Sequence, residues 1–157
     1  NATLQLKVMD FNGKVLSNKT VKGEVPANAS VVYCKEEYAS LATDPSNTLL
    51  LMTLKNQKGQ VLSEEIYYFK YPKEQNLPKA QIRYKVKQQD GKCEITLSTK
   101  QLARDIFIEI PIQGARYTDN FFDLLPGQTK KITIISDQIK KVEPVEFKIR
   151  HLKGITK

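Results

Sequence analysis

A chain of 157 residues, of which 40% are hydrophobic and 27% charged, has the composition of a globular protein and is long enough for one large or two small domains. No apolar run approaches the roughly 20 residues that a membrane-spanning helix needs, so we predict no membrane partner. The formal net charge is +8, but the lysines are scattered and no aromatic-plus-basic nucleic-acid motif accompanies them. We therefore predict a solvated basic surface and no nucleic-acid partner.

Alternation of apolar and polar residues, the period of half-buried strands, dominates the first half of the chain. Strands are predicted over residues 3–9, 14–22, 29–35, 48–55 and 60–71, with one helical turn over 36–41 and turns at Asn12-Gly13 and Lys58-Gly59. The run from Leu49 to Met52 has no polar alternation. It predicts a central strand that is covered on both faces.

Residues 71–79 hold Pro72 and Pro78 among polar residues, which interrupts the period and predicts a linker. We therefore predict one domain over residues 1–75 and a second over 76–157. The second half restarts the alternation, with Ile82, Tyr84 and Val86 on one face, a turn at Asp90-Gly91, and strands near 93–97, 104–110, 129–135 and 144–151.

Strands recur about every ten residues with short turns and no crossover helices, which favours an all-β fold of two tandem antiparallel sandwiches. Cys34 and Cys93 lie in different halves, each within an apolar alternating run. We interpret them as unpaired structural thiols rather than a disulfide. One histidine and two separated cysteines do not make a His/Cys zinc site, so no metal or cofactor is predicted.

The sequence contains no recognisable set of catalytic residues. His151 is the only candidate base for a nucleophilic triad, and it shares strand parity with Val145 and Ile149, which predicts a histidine packed at the sandwich rim. Glu36-Glu37 and Glu64-Glu65 are sequence neighbours, but adjacent residues on a strand point to opposite faces and such pairs are usually exposed charge, so neither pair is a credible acid and nucleophile. We predict no catalytic residue.

Residues 114–127 form the most unusual segment, and two interpretations stay open. Its oxygen ligands and aromatic faces are compatible with calcium or carbohydrate binding. The favoured interpretation is a structural turn, in which aromatic and leucine side chains fill a core and Asp119 or Asn120 bonds nearby backbone amides. The candidate site residues are Tyr117, Asp119, Asn120, Phe121, Phe122 and Asp123.

The segment 116–127 resembles a motif in the last immunoglobulin-like domain of family 2 β-mannosidases. In that motif an aromatic residue, Ser or Thr, Asp, Asn and another aromatic precede a leucine-rich turn; here they are Tyr117, Thr118, Asp119, Asn120 and Phe121. Residues 68–82 also resemble the join between the last two such domains, in the right order and spacing. The resemblance implies two tandem immunoglobulin-like antiparallel β-sandwich domains. The family's catalytic glutamates lie on an upstream (β/α)₈ barrel, so none is carried over.

What the resemblance implies about function is an accessory role in a retaining exo-β-mannosidase that hydrolyses terminal β-mannose. The partner is then the catalytic barrel of the same polypeptide, which the candidate loop contacts, and carbohydrate is met only through a periplasmic or secreted parent enzyme. Compared with the family, the first domain begins one or two strands late. We therefore expect it to be truncated at its N-terminus and the fragment to self-associate through residues 1–75.

The alternative is an independent carbohydrate-binding or surface-adhesion module with an aromatic platform. Such a platform needs exposed, coplanar aromatic rings. The chain has no tryptophan, and most of its tyrosine and phenylalanine residues fall at alternating strand positions expected to be core. The sequence therefore favours the accessory role.

Overall fold

The chain folds into two compact units, Asn1–Asn76 and Leu77–Lys157. The computed structural model describes residues 1–24, 26, 28–141 and 143–156. Every strand pair is antiparallel, and the helices are single short turns, which confirms the predicted all-β class. Within the described ranges no helix is long and apolar enough to cross a membrane.

The first unit is built on one four-stranded sheet in the order β2-β1-β3-β4. Its elements are β1 (Ala2–Asp10), β2 (Val15–Gly23), α1 (Tyr38–Leu41), β3 (Thr48–Asn56), β4 (Val61–Tyr68) and a short 3-10 helix (Pro72–Glu74). The central strands β1 and β3 pair from Ala2↔Asn56 to Asp10↔Thr48. Leu49, Leu50 and Leu51 are all buried on β3, as their unbroken apolar run predicts.

The core of this unit lies between the sheet and an irregular segment, residues 29–47. It consists of Leu6, Val8, Ala42, Leu50 and Phe69, with Leu4, Cys34, Leu41 and Met52 packed against it. The Tyr38 hydroxyl donates a hydrogen bond to the Phe69 carbonyl at 2.7 Å, which ties the segment to the end of β4. A loop and one helical turn therefore cover this face of the sheet.

The strand predicted over residues 29–35 is wrong, because these residues pair with no other strand in the described part of the chain. Val31 and Val32 are 48% and 70% exposed. The segment is positioned by side-chain packing instead: the Tyr33 ring lies against the backbone of Gly23 at the end of β2. Alternation alone does not distinguish such a segment from a strand.

The two hairpins of this unit use the same turn. In each, the side-chain oxygen of the first turn residue accepts hydrogen bonds from the amides two and four residues later. Asp10 accepts from Asn12 and Lys14, both at 2.9 Å, and Asn56 accepts from Lys58 and Gln60 at 2.9 and 3.0 Å. Gly13 and Gly59 have φ of 92° and 77°, which glycine adopts without strain. Both predicted turns are thus in place.

The second unit is a sandwich of two four-stranded sheets, with orders β5-β6-β10-β8 and β12-β11-β7-β9. Its strands are β5 (Ile82–Gln89), β6 (Lys92–Thr99), β7 (Ala103–Glu109), β8 (Arg116–Tyr117), β9 (Phe122–Leu124), β10 (Thr129–Ile135), β11 (Lys148–His151) and β12 (Gly154–Thr156). Residues that are fully buried between the sheets include Cys93, Ile95, Leu97, Ile106, Ile108, Ile132, Ile134 and Ile149. Cys34 and Cys93 are free thiols in different units, and burial raises the pKa of Cys93.

The strand predicted over residues 144–151 starts only at Lys148, because side chains from β5 and its turn satisfy the preceding backbone. The Gln88 side-chain amide accepts a hydrogen bond from the Val145 backbone amide at 3.1 Å and donates to the Lys140 and Glu143 carbonyls. The Asp90 side chain accepts from the Lys141 backbone amide at 2.8 Å.

Tyr84 and Val86 share the face of Ile82 on β5, as predicted, but each remains 37% exposed. The Tyr84 ring contacts Phe147.

Replacement of Gly23 by alanine tests the packing of Tyr33. An added Cβ would lie 2.6 Å from Cε1 of the ring, so Gly23→Ala should lower the free energy of unfolding by about 1–3 kcal/mol, the usual cost of overpacking. Chemical denaturation measures it. Because the ring is the clashing group, Gly23→Ala should cost much less in a Tyr33→Ala background.

Tyr33→Phe is the matched control. It removes a buried hydroxyl that has no hydrogen-bond partner among the described residues, so stability should stay the same or rise. Equal losses for Gly23→Ala with and without the Tyr33 ring would show that the contact does not matter.

A second prediction concerns Glu94 on β6, whose carboxylate lies 2.8 Å from Nζ of Lys131 and 2.7 Å from Nζ of Lys92. Hydrogen bonds from these lysines lower the pKa of Glu94 from 4.5 to about 2. The pKa of Glu94 is lower in the folded protein than in the unfolded chain. The ion pairs of Glu94 therefore stabilise the folded state fully above about pH 4.5, and this stabilisation is lost as the pH falls through about 2. Glu94→Gln should therefore flatten the pH dependence of the free energy of unfolding in that window, which chemical denaturation at a series of pH values would measure.

Candidate functional site

The candidate loop carries the chain from one sheet of the second unit to the other. At its start β8 pairs with the end of β10 through Tyr117↔Ile134, and at its end β9 pairs with β7 through Phe122↔Ile106. The two short strands fix both ends of residues 118–121. The unusual composition of this segment therefore coincides with a change of sheet.

Asn120 holds the middle of the loop against β7. Its Oδ1 accepts a hydrogen bond from the Ile108 amide at 2.8 Å, and its Nδ2 donates to the Ile108 carbonyl at 2.9 Å. Oδ1 also accepts from the Phe121 amide at 3.2 Å. The side-chain amide thus continues along β7 the pairing that β9 makes at Ala103 and Ile106. The side chain of Asn120 therefore takes the place of a neighbouring strand beside Ile108.

The two adjacent phenylalanines have opposite environments. Phe122 is 7% exposed and belongs to the core, as does Leu124, in line with the structural interpretation of the segment. Phe121 is 69% exposed and has φ of 60°, a left-handed conformation that bulky residues rarely adopt. Its ring stacks on Phe107 of β7, with centroids 4.6 Å apart and an interplanar angle of 20°. Phe121 therefore does not fill the core.

The acidic residues of the loop are paired with separate cations. Asp119 lies 2.5 Å from Nζ of Lys130, which also sits 4.2 Å from the centroid of the Phe122 ring. Asp123 accepts from the Asp105 amide at 2.8 Å and lies 3.5 Å from Nε of Arg104. No group of three or more His, Cys, Asp or Glu residues in the described ranges is placed to hold a metal ion. These carboxylates fix the loop rather than form a cation site.

Tyr117 is half-buried at the start of the loop. Burial raises the pKa of its hydroxyl, and the nearby Glu109 carboxylate acts in the same direction, while a hydrogen bond with the Ile110 backbone opposes them. Its ring packs against the core of the sandwich. Tyr117 therefore anchors the loop.

The outer surface beside Phe121 belongs to β7 and β11. Phe107 is directly opposite Arg150, and Glu109 is opposite Lys148. Nη2 of Arg150 lies 2.8 Å from Oε2 of Glu109, and both side chains are nearly half exposed. The strand pattern alone does not predict this exposed aromatic stack with an ion pair beside it, because alternation places Phe107 on the outer face of β7 but does not bring Phe121 to it.

The other sequence candidates lie apart from this loop. His151 is half-buried near Ala80 at the end of β11, and burial lowers the pKa of its imidazole. Glu36 pairs with Lys19 in the first unit. Glu64 and Glu65 are opposite Thr53 and Met52 and so face opposite sides of the sheet. No two of these side chains are placed together as an acid and nucleophile pair.

An apolar groove of about 570 Å³ lies on the covered face of the first unit's sheet. It is lined by Leu4, Leu6, Leu50, Met52, Tyr67 and Phe69 of the sheet side and by residues of the 31–41 segment, among them Tyr33, Tyr38 and Glu36. The sequence did not predict it, because the groove exists only where the expected strand over 29–35 is a loop.

Comparison with known domain families accounts for nearly the whole chain. A model described as a Mannosidase Ig/CBM-like domain matches residues 1–74, and a mannosidase immunoglobulin model described as an Ig-fold domain matches residues 77–155. No curated protein sequence matches the chain. Both units are therefore assigned by domain models rather than by individual relatives.

Solved structures share the fold. A β-D-mannosidase from Dictyoglomus thermophilum matches 96% of this chain with 23% identity and a TM-score of 0.71, and the exo-chitosanase CsxA of Amycolatopsis orientalis matches 99% with 15% identity and a TM-score of 0.66. The chain spans only 18% and 23% of those two proteins. The two domain models match in consecutive order along the chain, and the chain belongs to the tandem immunoglobulin-like domains of the family 2 mannosidase-type glycoside hydrolases.

Proposed function

We propose that the chain is the non-catalytic accessory part of a retaining exo-β-mannosidase that hydrolyses terminal β-linked mannose. The observation that carries this proposal is the pair of mannosidase domain matches, over residues 1–74 and 77–155, in one chain. The fold similarity to a β-D-mannosidase supports it. A (β/α)₈ catalytic barrel needs about 250 residues, so the chemistry belongs to another part of the polypeptide.

The arrangement of acidic side chains supports a non-catalytic role. A retaining glycosidase needs two carboxyl groups roughly 5 Å apart, one acting as acid and the other as nucleophile. Three carboxylates of the candidate loop and its neighbouring strands instead pair singly with cations: Asp119 with Lys130, Asp123 with Arg104 and Glu109 with Arg150. Each of these three carboxylates is thus held by its own cation.

The partner that we propose is the catalytic barrel of the same polypeptide, contacted by the loop that contains Tyr117, Asp119, Asn120, Phe121, Phe122 and Asp123. Within this loop only Phe121 presents a large exposed apolar surface, while Phe122 is buried and Asn120 is bonded to β7. Phe121 is therefore the residue that the loop would leave exposed at the rim of the barrel's active site. We place the parent enzyme in the periplasm or outside the cell.

Hydrolysis of p-nitrophenyl β-mannoside tests the proposal. The isolated chain should give no turnover, whereas the longer polypeptide that contains it should release p-nitrophenol with retention of configuration at the anomeric carbon. p-Nitrophenyl β-glucosaminide is the comparison substrate, because one structural neighbour is an exo-chitosanase. Turnover by the repurified chain, or a longer polypeptide that prefers the glucosaminide, would rule the proposal out.

A further inference from the structure

Phe121 is exposed at a structural cost. A φ of 60° is strained for a phenylalanine, and 69% exposure leaves a large apolar side chain in water. The strain is maintained by Asn120, whose amide bonds both backbone groups of Ile108. Strained residues that the surrounding structure holds in place cluster at functional sites.

The ring is presented as a flat surface. Phe107 lies beneath it, with centroids 4.6 Å apart and planes within 20° of each other, so one face of Phe121 is covered by another ring. The exposure therefore belongs to the opposite face and the ring edge. A stacked pair fixes the ring orientation before any ligand arrives, which reduces the entropy lost on binding.

Polar groups flank this surface. Arg150 is the cross-strand neighbour of Phe107, and its guanidinium is paired with Glu109, whose side chain is on the same outward face of β7. Both side chains are nearly half exposed. Together they offer donors and acceptors beside the ring.

We propose that Phe121 is a platform for the apolar face of a pyranose ring, with Arg150 and Glu109 hydrogen bonding to its hydroxyl groups. A sugar has an apolar C–H face and a polar rim, which matches one aromatic ring beside an ion pair. A stable protein partner would need about 800 Å² of surface with few charges at its centre. The outward face that carries the stacked rings instead holds the charged pair Glu109 and Arg150.

The identity of the sugar rests on the proposed function. In an exo-β-mannosidase the sugars beyond the cleaved bond extend out of the active site, and a platform at the rim would hold one of them. The probe is accordingly a β-1,4-linked mannotriose. Binding itself does not depend on the barrel, so the 157-residue chain is sufficient for the test.

The experiment is an NMR titration of the chain with β-1,4-linked mannotriose. Saturable shift changes should appear at the rings of Phe121 and Phe107 and at the Arg150 side chain. Phe121→Ala should weaken binding at least tenfold with little change in the melting temperature, because most of the ring is exposed. Phe121→Trp should bind at least as tightly as the wild type. Leu152→Ala, which removes a 49% exposed apolar side chain from the same unit, is the matched control.

Several results would overturn the platform. They are no saturable change with the wild type, an equal loss with Leu152→Ala, or the same shifts with glycerol. Light scattering that shows a dimer lost in Phe121→Ala would assign the ring to a second copy of the chain instead. Failure here leaves p-nitrophenyl β-mannoside hydrolysis by the longer polypeptide unaffected, whereas Phe121-dependent binding to the chain with no mannosidase activity in the longer polypeptide would reject only the proposed function.

Discussion

The two hydrogen bonds between the Asn120 side chain and the backbone of Ile108 determine the form of the candidate site. They supply β7 with a partner where β9 no longer runs beside it, at donor–acceptor distances of 2.8 and 2.9 Å. Both bonds meet backbone groups of a fully buried residue, where an unsatisfied donor or acceptor costs about 1–3 kcal/mol. The loop is therefore tied at its centre, with Phe122 in the core and Phe121 outside.

The first unit is organised by a different constraint, an internal repeat of its hairpins. β1 with its turn and β3 with its turn correspond at an offset of 46 residues, so that Asp10 matches Asn56, and Val15-Leu16-Ser17 matches Val61-Leu62-Ser63. Each edge strand has a register irregularity at its leucine. Bulges of this kind twist an edge away from regular pairing and reduce edge-to-edge association.

Much of this fold follows from local rules that a sequence reveals. Period-two alternation located the strands around Leu6, Ile95 and Ile132, an unbroken apolar run located the strand around Leu50, and the glycine turns located the hairpins. The strand prediction over 29–35 is wrong because the position of this segment depends on the contact of Tyr33 with Gly23. Gly23 lies outside the segment, so the alternation within 29–35 does not reveal this contact. Local alternation carries no information about whether a partner strand exists.

The candidate site shows the same limit. Asp and Asn in the 116–127 segment indicated a turn with side-chain bonds to backbone, but the partner of Asn120 lies 12 residues away on β7. The exposure of Phe121 depends on that bond and on Phe107, which alternation places on the face opposite Ile106 and Ile108 but does not connect to Phe121. The sequence thus located the segment, whereas only the structure shows that Asn120 anchors it and that Phe121 is exposed.

Amide hydrogen exchange at Ile108 tests most directly whether Asn120 sets the conformation of this loop. The Ile108 amide should be protected in the wild type and in Asp119→Asn, a neighbouring change that leaves the Asn120 bonds intact. In Asn120→Ala its exchange should be at least about tenfold faster, the effect of losing roughly 1.4 kcal/mol, and the ring-current shifts between Phe107 and Phe121 should diminish. An Ile108 amide that stays equally protected in Asn120→Ala, with the aromatic stack unchanged, would contradict the account.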